Sequence, residues 1–403
     1  MRYLKTGLVI ILAVYAVMVL GYQIWGTLDE NGSKDFHAFW YAGQFILEGI
    51  DPYQALFSDM QLPMRQPGLE IRPSNSAPML LVLTLFSLLP WLQAKLAWLV
   101  VNLLLAFLCF YLVEHYMPFP GLSLDRPARI LIFLIFFDLS PTRIAIENGQ
   151  TTLLVFALML MAVLMAKRSW LLAGCLLGLA LSKISVSVLV VLFFLYHRNY
   201  RVLATAIGFQ LLGFAGIAFL SGNPIVQVLS EYLRLFISLS DQPGIHLAAL
   251  MRGSPYAVIF PIAMTLAIAL CFYFWLFRDK ASQNVDMRVF DFHLLTIFTL
   301  WTLLVAYHRL YDALLILVLI VLFYKSVFQV DVWGLSSKMR TALTVGGGIG
   351  LALMIIPARI VDMIVPGMYS PLTNEIPAII LLIFLSALMV LFHRFLFRVN
   401  KYI

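Results

Sequence analysis

Leu171–Ser182 (LLAGCLLGLALS) and Ile184–Tyr196 (ISVSVLVVLFFLY) are apolar runs of 12 and 13 residues separated only by Lys183. A helix rising 1.5 Å per residue covers about 20 Å with either run, short of the ~30 Å of hydrocarbon that a full span must cross. Read as two short membrane helices, they place Lys183 below the outer surface, in a cavity reaching into the bilayer. The rest of the chain agrees with a membrane setting. Its 403 residues are 62% hydrophobic and 12% charged, against roughly 25% charged in soluble domains, and mean hydropathy is +0.95. Leu8–Gly26, Asn148–Ala166, Val202–Ser230, Gly253–Phe277 and Thr341–Ala358 hold no Asp, Glu, Lys, Arg or His. Inside hydrocarbon a chain must satisfy its own backbone, which selects helices. The sequence therefore predicts an all-α polytopic membrane protein.

About twelve spans are expected, at 7–26, 91–113, 129–146, 150–166, 169–181, 184–196, 201–221, 255–277, 290–306, 313–325, 341–357 and 376–395. With the N-terminus inside, 17 of the 27 Lys and Arg fall in cytoplasmic segments, as the positive-inside rule requires. The net charge of +7 is thus spread over short loops and forms no nucleic-acid patch. The first run reads as an uncleaved helix, since it is too long for a signal-peptide core. Two outer segments remain, 27–90 and 222–254. The longer carries seven of the 20 acidic residues. Within it Phe36–Leu47 has the spacing of an interfacial amphipathic helix, and Pro78–Leu89 reads as a second interfacial or re-entrant helix. Cys109, Cys175 and Cys271 lie in apolar runs without metal-ligand spacing and read as small hydrophobes.

An ionisable side chain within a membrane costs at least ~2.5–3.5 kcal/mol on insertion scales and calls for a partner or a purpose. Four clusters qualify: Lys34-Asp35-Phe36, Thr142-Arg143 with Glu147-Asn148-Gly149-Gln150, Lys183, and Tyr307-His308-Arg309-Leu310-Tyr311-Asp312. The topology puts all four on the outer side, although most of the charges that fix it lie elsewhere. Each has a plainer alternative. The alternative for Asp35 is a solvated loop carboxylate and that for Lys183 a snorkelling side chain. Glu147 can pair with Arg143 at i,i+4, and Arg309 with Asp312 at a helix end.

Asp35-Phe36-His37-Ala38-Phe39-Trp40-Tyr41-Ala42-Gly43, followed by Glu48-Gly49-Ile50-Asp51-Pro52-Tyr53, resembles the opening signature of glycosyltransferase family 87. Glu147-Asn148-Gly149-Gln150, and Ala173-Gly174 through Gly178-Leu179-Ala180 to Lys183, follow in the family's order. The resemblance covers about residues 1–325 of a single GT-C-like membrane domain, leaving 326–403 as additional C-terminal transmembrane helices. Two elements depart from the pattern: Arg72-Pro73-Ser74-Asn75-Ser76-Ala77-Pro78 where the family has a Tyr-Pro-Pro-like piece, and Ile-Ser-Val after Lys183 in place of a Pro-containing one.

The resemblance implies a GT-C fold and inverting transfer of mannose or a similar sugar from a polyprenyl-phosphate donor to a lipid or glycan acceptor. The reaction would use no metal or nucleotide cofactor, on the extracytoplasmic face of what is expected to be a bacterial inner or plasma membrane. Asp35 matches the loop aspartate expected to act as base. Lys183, Arg309 and Arg143 are the candidates for holding the donor phosphate, and His308 for a proton relay or second phosphate contact. Glu147, Asn148, Gln150, Tyr41, Tyr311 and Asp312 are the candidates for sugar or acceptor. Three other readings compete. A transporter or lipid-linked-sugar flippase predicts repeated halves or midplane sites, and no repeat is visible. A structural scaffold leaves the polar clusters unexplained. A polysaccharide ligase or polymerase would use a similar lipid carrier.

Overall fold

A computed structural model describes residues 2–29, 32–57, 75–116, 124–239, 244–247, 259, 263–268, 270, 287–305, 308–329, 333–356, 358–369 and 371–401. Every regular element among them is helical. They form two compact units: Val17–Cys109 with Arg143–Gln242, here the site unit, and Met1–Ala16 with Phe110–Thr142 and Pro243–Ile403, the C-terminal unit.

The site unit draws on α1 (Arg2–Leu28), α2 (Lys34–Leu47), α3 (Pro52–Phe57), α4 (Ala77–Ser87), α5 (Trp91–Tyr116), α7 (Ser140–Glu147), α8 (Thr152–Met165), α9 (Trp170–Ala180), α10 (Ile184–Tyr196), α11 (Tyr200–Ser221) and α12 (Ile225–Leu239); α6 (Arg126–Asp138) lies in the C-terminal unit. Its register is set where small residues let backbones approach. Gly174 abuts Val202 and Thr205, and Gly178 abuts Ala206 and Phe209, close enough that an added Cβ would collide at either glycine. Ser182 meets Gln210. Positions rise together on both helices, so α9 and α11 run parallel. The 13 residues of α10 must therefore carry the chain back between them, and the reversal falls in the short 3-10 turn Leu181–Lys183. Two short helices meeting at Lys183 is what the sequence predicts.

Helix α4 rises parallel to α11: Ser76 bonds to Gln210, while Gly213 abuts Pro78 and Gly216 lies against Leu81. It begins level with Ser182, whose carbonyl accepts the Ser76 N–H (2.8 Å), and ends beside α2, where Ser87 packs on Gly43. The segment Pro78–Leu89 thus holds a helix that rises beside α11 from the level of Ser182 toward α2. Gln210 stands eleven residues before the end of α11 at Ser221. At 1.5 Å per residue that recesses the Lys183 turn by about 16 Å from the helix end.

By length and composition six helices can cross a membrane: Gly7–Leu28, Trp91–His115, Trp170–Val188, Tyr200–Ser221, Leu310–Gln329 and Pro371–Arg394. The pair α7 and α8, bent by 112°, makes up to seven. Trp170–Val188 includes the reversal at Lys183. The expectation of twelve differs for identifiable reasons. The run 129–146 divides at Leu139 into α6 and α7, α8 and α10 have only 14 and 13 residues, and most of 255–277 lies outside the described residues. Helices enclosed by protein need not match the bilayer's thickness. A second difference concerns Phe36–Leu47, expected to be half-exposed. Ten of the fourteen residues of α2 are buried, because α4 and the aromatic end of α5 cover it.

In the C-terminal unit the helix Met287–Val305 packs on Ile376–Lys401, where the His293 ring stacks on Phe392 (5.7 Å) and accepts the Trp333 indole N–H (2.9 Å). Lys325, fully buried, donates to the Glu114 carbonyl (3.2 Å).

Candidate active site

The first turn of α2 docks on the α7–α8 corner. The backbone N–H groups of Asp35 and Phe36 both donate to the Asn148 carbonyl, at 3.1 Å each. These are orphan donors of a helix start, so the corner completes the N-terminus of α2 and fixes Asp35 in its first turn, where a carboxylate is favoured by the helix dipole. The Phe36 ring stacks on both Trp91 (5.9 Å) and Trp98 (5.3 Å), nearly parallel to each. The Trp98 indole N–H in turn donates to the Gly149 carbonyl (2.7 Å). Aromatic pairs of this kind add about 0.5–1.5 kcal/mol beyond area burial.

Gly149 is confined twice, by φ of +66° and by Phe36, whose Cβ would lie 2.6 Å from a Cβ added here. Left-handed backbone costs other residues roughly 1–2 kcal/mol, and overpacking adds about 1–3 kcal/mol. Gly149→Ala is expected to lower the melting temperature and the activity together. Gly346→Ala, where a Cβ meets nothing within 4 Å, should leave both unchanged, and equal melting temperatures for the two variants would show that the corner is not held this way.

Two residues beyond Asn148, Gln150 Oε1 accepts from the Lys183 ammonium (3.2 Å), and Thr152 Oγ1 accepts from it as well (2.6 Å). Lys183 is 6% exposed, and both of these partners are neutral oxygens. The turn that carries it is anchored by Gln210, whose amide donates to the Gly178 carbonyl (2.6 Å) and to Ser182 Oγ (3.2 Å) while its oxygen accepts from Ser76 Oγ (2.7 Å). Asn75, buried, hydrogen-bonds Thr151 (3.1 Å) and accepts from the Tyr53 hydroxyl at its carbonyl (3.0 Å). Asp51 caps α3 through the Tyr53 N–H (2.9 Å). Burial raises the pKa of Asp51, and burial with Tyr232 and Asp51 nearby holds Tyr53 well above the usual phenol range.

Asp35, Asn148, Gln150 and Lys183, which come from three of the four predicted clusters, are thus linked in one recessed region of one unit. The sequence reading missed Asn75, Ser76, Thr151, Thr152 and Gln210. Their signal was weak but present: Gln210 is a primary amide within the apolar helix α11, and Asn75-Ser76 sit in the element that departs from the family pattern. Arg143 and Glu147 lie half-buried on α7, and the Arg143 carbonyl accepts from Gln23 of α1 (3.3 Å). Tyr41 is buried further along α2, edge-on to His37 (4.4 Å) and Trp40 (5.3 Å). Burial, with Lys95 nearby, lowers the His37 pKa to about 4, so this imidazole is neutral at pH 7. Folding favours its neutral form, a contribution present above pH 6.5 and lost as pH falls toward 4.

The fourth cluster belongs to the C-terminal unit. His308 is fully buried, its carbonyl accepting the Ile245 N–H (2.8 Å). Arg309 is exposed, Tyr311 half-buried and Asp312 buried, with the Asp312 N–H donating to the Arg309 carbonyl (3.0 Å). Tyr307 lies outside the described residues. His246, which the sequence reading passed over, lies near His308, and burial with that neighbour lowers its pKa to about 4. Among the described residues no three His, Cys, Asp or Glu side chains converge as metal ligands would.

In chemical terms the site unit offers a carboxylate at a helix start and a recessed ammonium on neutral oxygens, joined through the Asn148–Gln150 corner. A hydroxyl proton can pass to the first, and an anion can be held by the second. The model of Glycosyltransferase family 87 matches residues 76–306. The match takes in Asn148, Gln150, Lys183 and Gln210, begins after the Asp35–Tyr53 signature and ends before His308. No curated protein matches the chain.

Proposed function

The chain belongs to glycosyltransferase family 87, a membrane glycosyltransferase by that membership and its apolar helices, and from this premise we propose that it transfers a sugar from a polyprenyl-phosphate donor to a lipid or glycan acceptor. The observation that carries the reading is the recess of Lys183: about 16 Å below the end of α11 and bonded to Gln150 and Thr152. A phosphate whose lipid tail lies in the bilayer meets a cation at that depth. A soluble nucleotide sugar needs none there.

In the proposed reaction the acceptor hydroxyl gives its proton to the Asp35 carboxylate as its oxygen bonds to the anomeric carbon. The bond from that carbon to the phosphate oxygen breaks on the opposite face, inverting the configuration. Its electron pair leaves on the phosphate, whose charge Lys183 neutralises. Arg143, Arg309 and His308 are proposed as further phosphate contacts. Glu147, Asn148, Gln150, Tyr311 and Asp312 are proposed to orient sugar and acceptor. Mannose or a related sugar, a GT-C architecture, an extracytoplasmic site in a bacterial plasma membrane and independence from metals complete the proposal.

Purified protein in nanodiscs, given lipid-linked sugar and an acceptor extract, should release free polyprenyl phosphate as glycosylated product forms. A flippase would leave the donor bond intact, and that outcome would reject the reading. Orientation is tested separately by cysteine labelling in a background lacking native cysteines. Gln54→Cys, at an exposed position on α3, should react in intact cells, and Ser336→Cys, also exposed, only after permeabilisation. Labelling of Ser336→Cys in intact cells would reverse the topology.

A further inference from the structure

Most of the C-terminal unit's last helices lie beyond residue 306, where the family match ends, and with α6 they line a half-open cavity of about 1050 Å³. Its walls come from α6, the segment Leu310–Gln329, the helix Ser337–Ile355 and the helix Ile376–Lys401, and are almost wholly apolar: Leu319, Phe323, Leu351, Phe384 and Leu388 are typical. Its volume exceeds the ~300–1,000 Å³ usual for ligand pockets. Gly346, Gly347 and Gly348 leave the space open. A Cβ added at Gly346 or Gly348 would meet nothing within 4 Å, and one at Gly347 only the Phe323 ring.

Thr344 apart, the polar residues of the wall gather toward one end. Asp125, Gln329 and Trp333 lie where α6 begins and where the helix Ser337–Ile355 is about to begin, and Leu391 ends the lining of the last helix. Directly beyond these positions stand Arg126, Arg340 and Arg394. Arg126 and Arg394 are exposed. The Arg394 guanidinium reaches Met339 Sδ (3.1 Å) and that of Arg340 the Val327 carbonyl (3.5 Å), which brings the ends of three helices to one rim. The Asp125 carboxylate caps α6 by accepting from the Ala128 N–H (3.2 Å), and against the three arginines it leaves these residues with a net positive charge.

An apolar cavity within a membrane unit, with arginines gathered at its rim, has the charge and polarity of one phospholipid: chains in the cavity, anionic headgroup at the arginines. We propose that this cavity is a binding site for an anionic phospholipid, independent of the sugar-transfer site. The site serves the fold or its placement in the membrane and does not depend on the proposed donor.

The test uses the full chain purified in mild detergent, with bound lipid extracted and quantified by mass spectrometry, then reconstituted in nanodiscs of phosphatidylcholine with or without phosphatidylglycerol. The wild type should retain phosphatidylglycerol in preference to phosphatidylcholine and melt at a higher temperature when it is present. Arg126→Gln with Arg394→Gln should lower phosphatidylglycerol retention by roughly thirtyfold, from about 1 kcal/mol at each basic site, and remove the melting shift. Gly346→Leu, which places a side chain in open space, should reduce all retained lipid while the protein still folds. Equal retention of both lipids by the wild type, or undiminished phosphatidylglycerol in both variants, would overturn the proposal.

Discussion

Asp35→Asn is expected to lower sugar transfer by about 10²–10⁴-fold, the span usual for losing a general base, or roughly 3–5 kcal/mol in the barrier. The substitution keeps the size of the side chain and one carbonyl acceptor. It leaves untouched the backbone bonds from Asp35 and Phe36 to Asn148 that seat the first turn of α2. Expression, melting temperature and donor binding should therefore stay near wild type while turnover collapses. A coincident loss of stability would make Asp35 part of the docking of α2, and near-normal turnover would remove it from the mechanism.

Lys183→Met should lose about 10²–10³ in turnover, the scale seen when one preorganised donor to a developing anion is removed. The loss should fall on donor use, leaving the acceptor's apparent affinity unchanged. Stability should move the other way. An intramembrane ammonium carries a cost of ~2.5–3.5 kcal/mol, so an apolar side chain of similar length should leave the melting temperature unchanged or higher, as trade-offs at functional sites predict. Lys183→Arg should recover only part of the activity. The acceptors around this point charge include Gln150 Oε1 and Thr152 Oγ1, and a longer planar guanidinium does not match them. A fall in both stability and activity in Lys183→Met would mark a structural lysine.

Much of this site was legible because its signals are local in sequence. Runs of 12 and 13 apolar residues around one lysine predict a reversal at Lys183, and the packing of Gly174 and Gly178 on α11 bears out that reversal. The link between Asp35 and Asn148 was legible only as two motifs on one side of the membrane. Its means, two amides on one carbonyl beside a left-handed glycine, needed coordinates. Gln210, Ser76 and Asn75 were only weakly legible: an amide in the apolar run of α11 looks the same whether it faces a neighbouring helix or water, and Asn75-Ser76 stood out only as a departure from the family pattern. The aromatic residues of α2 misled for a related reason. Phe, Trp and Tyr at helical spacing suit an interface and a core equally, and here α4 and α5 supply the core. The count of spans is matched only in part: among the described residues six helices, or seven with the bent pair, are long and apolar enough to cross, and helices such as α8 and α10 are shorter than that.

The most direct test of the central claim is transfer by the purified wild-type and Lys183→Met proteins, with the same sugar presented once on polyprenyl phosphate and once on a nucleotide. The account predicts transfer by the wild type from the lipid-linked donor alone, with Lys183→Met losing most of it. Transfer from the nucleotide form alone, or the same dependence on lipid-linked donor in Lys183→Met as in the wild type, would contradict it.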